Sequence, residues 1–285
     1  MNHLGRIGSV VALRPRASWC RWLALLTLTL LSLSAQLSLS GCAGQTSATR
    51  SSDLLTESDE PDARKRARLR LELAAGYFEQ GQTEVALDEI KQSLAADPRY
   101  GPAYVLRGLV YMRMSDNRQA EDSFQRALQI NPRDADALHN YGWFACQQGR
   151  HTEAVELFGR ALSNPTYGGQ AKTYMTQGIC QLRMGQLAQA ESSFARTYEL
   201  DPSNPVAGYN LAALLFRRGE NVKAQFYIRR LNNSELSNAE TLWLGIRLER
   251  QLGNHEVVQQ LAQQLGRRYP QSREWDLYQR GAFHE

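Results

Sequence analysis

A residue type suited to ending a helix recurs along this chain at a nearly constant interval. The recurring positions are Gly81, Ser115, Gly149, Gly185, Gly219 and Gly253, which lie 34, 34, 36, 34 and 34 residues apart. A fixed period of this length is typical of a solenoid, in which each unit buries its apolar face only against its neighbours. Glycine ends helices because it adopts the left-handed conformation without steric cost. The period therefore predicts an all-α solenoid.

Small and large side chains keep the same register, counted from Ala67. The eighth position is small in five of six units: Ala74, Gly108, Gly142, Gly178, Ala212 and then Ile246. The twentieth is small in the same five: Ala86, Ala120, Ala154, Ala190, Ala224 and then Val258. The twenty-fourth is a large apolar residue in those five: Ile90, Phe124, Phe158, Phe194, Ile228 and then Ala262. This pattern resembles the tetratricopeptide repeat (TPR), a pair of antiparallel helices.

The register divides the chain into predicted domains. Six TPR units over residues 67–272 would form a right-handed superhelical solenoid: 67–100, 101–134, 135–170, 171–204, 205–238 and 239–272. The third unit has two extra residues near Asn164, which predict a longer loop. Residues 273–285 are predicted to cap the end of the stack, with Ser272 starting a short helix that uses Trp275, Leu277 and Tyr278.

The N-terminal segment predicts secretion. A basic stretch that ends at Arg21 precedes the apolar run Trp22–Leu33, which is too short for a typical membrane-spanning helix. Leu39-Ser40-Gly41-Cys42 resembles the bacterial lipobox. That resemblance implies removal of residues 1–41 and acylation of Cys42, and the absence of Asp after Cys42 implies sorting to the periplasmic face of the outer membrane. The alternative is a short membrane anchor that is retained.

The next residues, 42–66, are predicted to be a flexible tether because they are rich in Ser, Thr, Asp, Glu and Arg. The first 41 residues contain four of the 33 basic residues and none of the 29 acidic ones. The remainder therefore carries 29 residues of each sign. A neutral body argues against nucleic-acid binding, which normally needs a basic face.

A defined set of repeat positions is expected to line the concave side of the stack. In a TPR solenoid the first helix of each unit lines the inner groove through its positions 2, 5, 9 and 12. The groove residues predicted from these positions are mostly apolar: Leu71, Phe78, Val105, Leu109, Met112, His139, Trp143, Met175, Ile179, Leu182, Tyr209, Phe216 and Trp243. Arg247 and Arg250 are predicted to make the C-terminal end of the groove basic. An apolar groove suits an amphipathic helix of a partner protein, although some of these side chains would instead pack between repeats.

Enzymatic chemistry is not predicted. The solenoid uses residues 67–272, the histidines are scattered singly, and no catalytic motif or metal-ligand spacing is present, so no catalytic residue, metal or cofactor other than the lipid is expected. Cys146 and Cys180 fall on the first helices of neighbouring units, and in an oxidising compartment we expect a disulfide between them. The alternative is two buried thiols.

Three stretches resemble a particular family. They are residues 140–149 (Asn-Tyr-Gly-Trp-Phe-Ala-Cys-Gln-Gln-Gly), the loop Asn164-Pro165-Thr166-Tyr167, and residues 240–250 (Glu-Thr-Leu-Trp-Leu-Gly-Ile-Arg-Leu-Glu-Arg). They are similar to the type IV pilus biogenesis lipoproteins called PilF or PilW. The resemblance implies a pilotin, a lipoprotein that binds secretin subunits and promotes their localisation or multimerisation in the outer membrane. We expect the protein itself to be a monomer. The alternative is a TPR lipoprotein adaptor that scaffolds cell-wall hydrolases or an outer-membrane assembly complex.

Overall fold

The computed structural model describes residues 60–284. Within this range the regular elements are thirteen helices: α1 Asp62–Glu79, α2 Thr83–Ala96, α3 Gly101–Arg113, α4 Asn117–Ile130, α5 Ala135–Gln147, α6 His151–Leu162, α7 Gln170–Arg183, α8 Leu187–Leu200, α9 Pro205–Arg217, α10 Asn221–Asn232, α11 Ala239–Gln251, α12 His255–Arg268 and α13 Arg273–Gln279. The first twelve form six antiparallel pairs, which confirms the predicted solenoid of TPR helix pairs. The predicted signal peptide, Cys42 and most of the tether lie outside the described residues.

The boundary predicted between tether and solenoid is wrong by one helical turn. Residues 62–66 were assigned to the tether, but α1 begins at Asp62, directly after Pro61. The reason is that this segment packs: Arg64 forms an ion pair with Asp97, and its guanidinium lies 5.0 Å from the Tyr100 ring centroid. Contacts with the second half of the repeat thus extend a helix that composition alone assigns to a flexible segment.

The turns inside each repeat use the conformation that the period predicts. Gly149 has φ 76° and ends α5. Ser115 fills the same slot after α3 with φ 61°, and it is the one non-glycine residue of the described range with positive φ. Four Asp-Pro and Asn-Pro steps make turns between repeats: Asp97-Pro98, Asn131-Pro132, Asn164-Pro165 and Asp201-Pro202. In each the acidic or amide side chain accepts a backbone N–H two residues later, as Asp97 does from Arg99 at 2.9 Å.

The helices of a pair cross where the small residues lie. A Cβ atom on Gly142 would stand 2.7 Å from the Phe158 ring, and one on Gly108 would stand 2.6 Å from the Phe124 ring. Both phenylalanines are fully buried. Each first helix after α1 also packs on the second helix of the preceding pair, and most neighbouring first helices touch each other. This arrangement places the first helices on the inner side of the stack.

We expect Gly142→Leu to destabilise the third repeat, because the new side chain must displace the buried Phe158 ring. Overpacking of this kind costs about 1–3 kcal/mol, and more where the neighbours have no room to move. The matched control is Gly159→Leu in the same repeat, where a Cβ meets no atom within 4 Å. That change should leave the melting temperature unchanged or slightly higher, since leucine favours the helix. If the two variants had equal melting temperatures, Gly142 would not lie at a close crossing of the two helices.

The last helix closes the end of the stack. Ser272 caps α13 by accepting the Trp275 backbone N–H at 3.1 Å. Leu277 is buried, and Trp275 and Tyr278 pack beside it on α11 and α12. None of the described helices is long and apolar enough to span a membrane.

Candidate functional site

The predicted groove residues separate into an open set and a buried set. Ten of them are half-buried: Leu71, Phe78, Leu109, Met112, Trp143, Met175, Ile179, Leu182, Tyr209 and Phe216. Three are buried, with exposed fractions of 8% for Val105, 3% for His139 and 6% for Trp243. Side chains of neighbouring helices or of the C-terminal segment cover most of the surface of these three residues, although His139 and Trp243 still contribute to pocket walls.

One part of the groove forms a pocket. Its walls come from α3, α5 and α7, the first helices of repeats two to four, and it has a volume of about 350 Å³. The lining residues are Leu109, His139, Asn140, Trp143, Lys172, Met175, Thr176 and Ile179. The pocket is apolar, with the ammonium group of Lys172 at its edge. The structure therefore brings together four of the half-buried groove residues, Leu109, Trp143, Met175 and Ile179.

His139 forms the polar part of the pocket wall. Its Nδ1 lies 2.9 Å from the Thr173 hydroxyl, which links α5 to α7. Burial, with a smaller contribution from the Lys172 charge, lowers the pKa of His139 to about 4. The imidazole is therefore neutral near pH 7, and it adds no positive charge to the pocket.

Arginines cover several groove aromatics, a contact that is not among the predictions from the repeat positions. The guanidinium carbon of Arg113 lies 3.6 Å from the Phe78 ring centroid, and that of Arg183 lies 5.5 Å from Trp143. Each arginine comes from the repeat after the ring that it covers. Arg113 and Arg183 both occupy position 13 of their units, so the recurrence was a usable signal. Cations over the rings favour a partner that carries carboxylates beside its apolar side chains.

The far end of the groove is occupied by the chain itself. Phe283, after α13, stacks on Trp243 with ring centroids 5.5 Å apart and an angle of 22° between the rings. Arg250 covers the other ring in this contact, with its guanidinium carbon 3.8 Å from the Phe283 centroid. Tyr209 and Trp243 do share a smaller pocket with Leu277. The predicted basic, open end is therefore largely closed by the C-terminal segment.

Cys146 and Cys180 are adjacent, on α5 and α7. Their Cα atoms lie 5.9 Å apart, and the structure joins the two sulfur atoms. Both residues are buried. This geometry supports the disulfide that we predict between repeats three and four.

His151, one of the histidines that are scattered singly in the sequence, lies beside this pair. One ring nitrogen of His151 and the two Sγ atoms lie within 4.8 Å of one another. Two thiolates and an imidazole are ligands that zinc and copper(I) accept, but only deprotonated thiols can bind a metal. In the disulfide form the cluster offers no thiolate.

The loop Asn164–Tyr167 is held in place by its own hydrogen bonds. Asn164 Oδ1 accepts from the Thr166 backbone N–H at 3.1 Å and from the Thr166 hydroxyl at 2.9 Å. The Tyr167 hydroxyl donates to Asp136 Oδ1 at 3.2 Å. These bonds fix the longer loop of repeat three against α5, at the end of the helix that carries His139 and Trp143.

Comparisons with known proteins agree with this architecture. Two tetratricopeptide repeat models match residues 105–169 and 181–243. The type IV pilus assembly protein PilF of Pseudomonas aeruginosa is 29% identical over 209 residues, which cover 73% of this chain and 83% of that protein.

Two solved structures are similar as well. The Pseudomonas aeruginosa PilF structure has a TM-score of 0.72 and 27% identity, and the match covers 78% of this chain and 100% of that one. The structure of PilW, a type IV pilus biogenesis factor, has a TM-score of 0.65 and 29% identity, covering 74% and 97%. The chain has a tetratricopeptide-repeat fold and resembles the PilF and PilW proteins of type IV pilus biogenesis.

Proposed function

We propose that this chain acts in type IV pilus biogenesis as a pilotin, an outer-membrane lipoprotein that binds secretin subunits through its TPR groove. The observation that carries the proposal is the match to PilF, which spans the whole of the solved PilF chain. Binding of a protein partner is the general use of a TPR solenoid, and the pocket at Trp143 supplies an apolar site for it.

The chemistry of the pocket fits a helix of a membrane-destined protein. Leu109, Met175 and Ile179 provide flexible apolar contact around the Trp143 ring. Methionine adapts its shape to different partner side chains. Arg183 and Lys172 lie at the same site and would pair with carboxylates on the rim of the partner helix. A secretin subunit held there would keep an apolar helix away from water during transit.

We expect Trp143→Ala to weaken secretin binding about thirtyfold, since truncating a central aromatic anchor commonly costs about 2 kcal/mol or more. The half-buried ring is not part of a helix crossing, so the melting temperature should change much less than in Gly142→Leu. Pull-down of the secretin subunit and thermal melting of the same preparations test this. Phe226→Ala, on an exposed ring of α10, is the matched control and should bind as the parent does.

Two outcomes would contradict the groove assignment. In the first, Trp143→Ala lowers the melting temperature as much as Gly142→Leu does, which would show that the Trp143 ring belongs to the hydrophobic core. In the second, the folded variant binds as the parent does, which would place the partner on the outer face or near Tyr167. Deleting the gene separates the pilotin from the adaptor proposal: loss of heat-resistant secretin multimers from the outer membrane supports the pilotin, and their survival argues against it.

We also expect Cys42 to carry the acyl chains that hold the protein on the outer membrane. Each buried methylene contributes about 0.8 kcal/mol, so two or three chains anchor a soluble domain durably. Metabolic labelling with an alkyne fatty acid should mark the parent and leave Cys42→Ser unlabelled and released from membranes that are washed at high salt. An unlabelled parent, or equal membrane retention of the two forms, would refute the anchor.

A further inference from the structure

The open end of the solenoid at α1 has an apolar surface where a solvent-facing cap is expected to be polar. At the third position of the repeat register, all five later units have a small buried residue, because the preceding helix pair packs there: Ala103, Ala137, Thr173, Ala207 and Thr241. The first unit has Leu69 at this position, and it is 49% exposed. Terminal repeats normally carry a polar outer face for solubility.

A second leucine extends this surface along α1. Leu73 is 51% exposed and lies one turn after Leu69, so the two side chains share a face of the helix. At the equivalent position of repeats three and five, Tyr141 and Leu211 are buried against the preceding pair. Nothing in the described part of the chain covers the two leucines.

Some of the basic residues of α1 are paired with carboxylates, and others are not. Arg64, Arg68 and Arg70 are each paired with a carboxylate, on Asp97, Glu72 and Glu89 respectively. Lys65 and Arg66 are exposed, form no ion pair within residues 60–284, and stand four and three residues before Leu69. Asp62 is the one acidic residue of the first turn. The leucine face therefore has a net positive charge at its N-terminal edge.

We propose that this face of α1, defined by Lys65, Arg66, Leu69 and Leu73, rests on an anionic lipid surface. Leucines enter the boundary between headgroups and acyl chains, while lysine and arginine attract anionic headgroups. The position of α1 in the chain favours this occupant. Only nineteen residues, 43–61, separate it from Cys42, so α1 is the described helix nearest in sequence to the proposed anchor.

This inference rests on the proposed lipid anchor, because the anchor holds α1 near the bilayer. The face would then orient the solenoid, with repeat one toward the membrane and the Trp143 pocket farther out along the stack. The contact of α1 with the lipid surface would also strengthen the attachment of the protein to the membrane. Once the lipid anchor is inserted, α1 is held near the same membrane and its binding is effectively intramolecular.

The test uses the chain from residue 42 onward with Cys42→Ser, so that no acyl chain contributes. It is sedimented with phosphatidylcholine vesicles that contain or lack phosphatidylglycerol. We expect sedimentation with the anionic vesicles at low salt and its loss at high salt. Lys65→Gln/Arg66→Gln should weaken binding about fivefold per cation. Leu69→Ser/Leu73→Ser should weaken it by at least the same factor, with an unchanged melting temperature.

The matched control is Val222→Ser/Phe226→Ser, another exposed apolar pair four residues apart on one helix, which should bind vesicles as the parent does. Absence of binding to anionic vesicles would overturn the proposal, as would equal binding by the leucine variant and the parent. Self-association of the parent that the leucine variant lacks would assign the face to a second copy instead. None of these readouts depends on acylation or on secretin binding, so failure here is separate from failure of the proposed function.

Discussion

Glu249→Ala is expected to lower the free energy of unfolding by about 3 kcal/mol. Glu249 is a fully buried carboxylate on α11 that accepts from Arg229 Nε at 2.6 Å and Nη2 at 2.9 Å. It also accepts from Gln225 Nε2 at 2.9 Å and Asn254 Nδ2 at 2.6 Å, so it joins α10 to the turn before α12. Removing one partner of a buried pair costs about 3–5 kcal/mol, and the lower value applies because water reaches Arg229.

The effect should depend on pH in a defined direction. Burial raises the pKa of Glu249, but the hydrogen bonds from Arg229, Asn254 and Gln225 outweigh burial and hold the pKa below its usual range. The unfolded chain therefore binds the proton at higher pH than the folded chain does. The contribution to stability is complete above the unfolded pKa, near 4.5, and is lost as pH falls through the folded value.

The stability that Glu249 contributes can be measured by thermal and urea unfolding of the parent and of Glu249→Ala, at pH 7 and through the acid range. The difference between them should shrink below about pH 4.5. Glu199→Ala is the matched control, since its ion pair with Arg196 is exposed and such pairs contribute about 0–1 kcal/mol. A Glu249→Ala variant as stable as the parent at pH 7 would show that the network is not required.

Loss of the predicted Cys146–Cys180 disulfide should be the second large effect. The bond closes a loop of 34 residues, and restricting a loop of this size in the unfolded chain is worth about 4 kcal/mol. We expect reduction to lower the melting temperature of the parent to that of Cys146→Ala/Cys180→Ala. The variant itself should not respond to the reductant, which makes it the control.

Peptide mapping of periplasm-derived protein without reductant should recover the two cysteine peptides linked. Free thiols under those conditions would contradict the bond and leave the pair as buried apolar side chains. Reduced protein has a further use. If zinc binds to the reduced parent but not to a reduced His151→Ala variant, the neighbouring imidazole acts as a ligand once the thiolates are released.

The helix pairs could be predicted from the sequence because each repeat supplies its own local signals. In the first five repeats position 8 is small and position 24 is large where the two helices cross, so Gly142 and Phe158 identify one crossing and the period locates the others. The left-handed turn at Gly149 and the capping turns at the Asp-Pro and Asn-Pro steps are equally local. Cys146 and Cys180 could be placed side by side because the register fixes which helices are neighbours.

The exposure of the groove residues could not be predicted in this way. Position 5 holds Val105, His139 and Met175 in successive units, yet only Met175 remains half-open, because exposure depends on the size of side chains from the next repeat. The start of α1 at Asp62 depends on Arg64 reaching Asp97, a contact between residues 33 positions apart.

The sequence by itself therefore determined the repeat, its register and the inner position of the first helices, since these follow from backbone geometry repeated every 34 residues. Tertiary structure decided which parts of that inner face remain open. Phe283 covers Trp243 from the C-terminal segment, while Trp143 stays accessible beside Met175 and Ile179. Trp243 and Met175 both occupy position 5 of their units, yet Trp243 is buried and Met175 is half-buried, because burial depends on contacts between distant residues that no periodic pattern records.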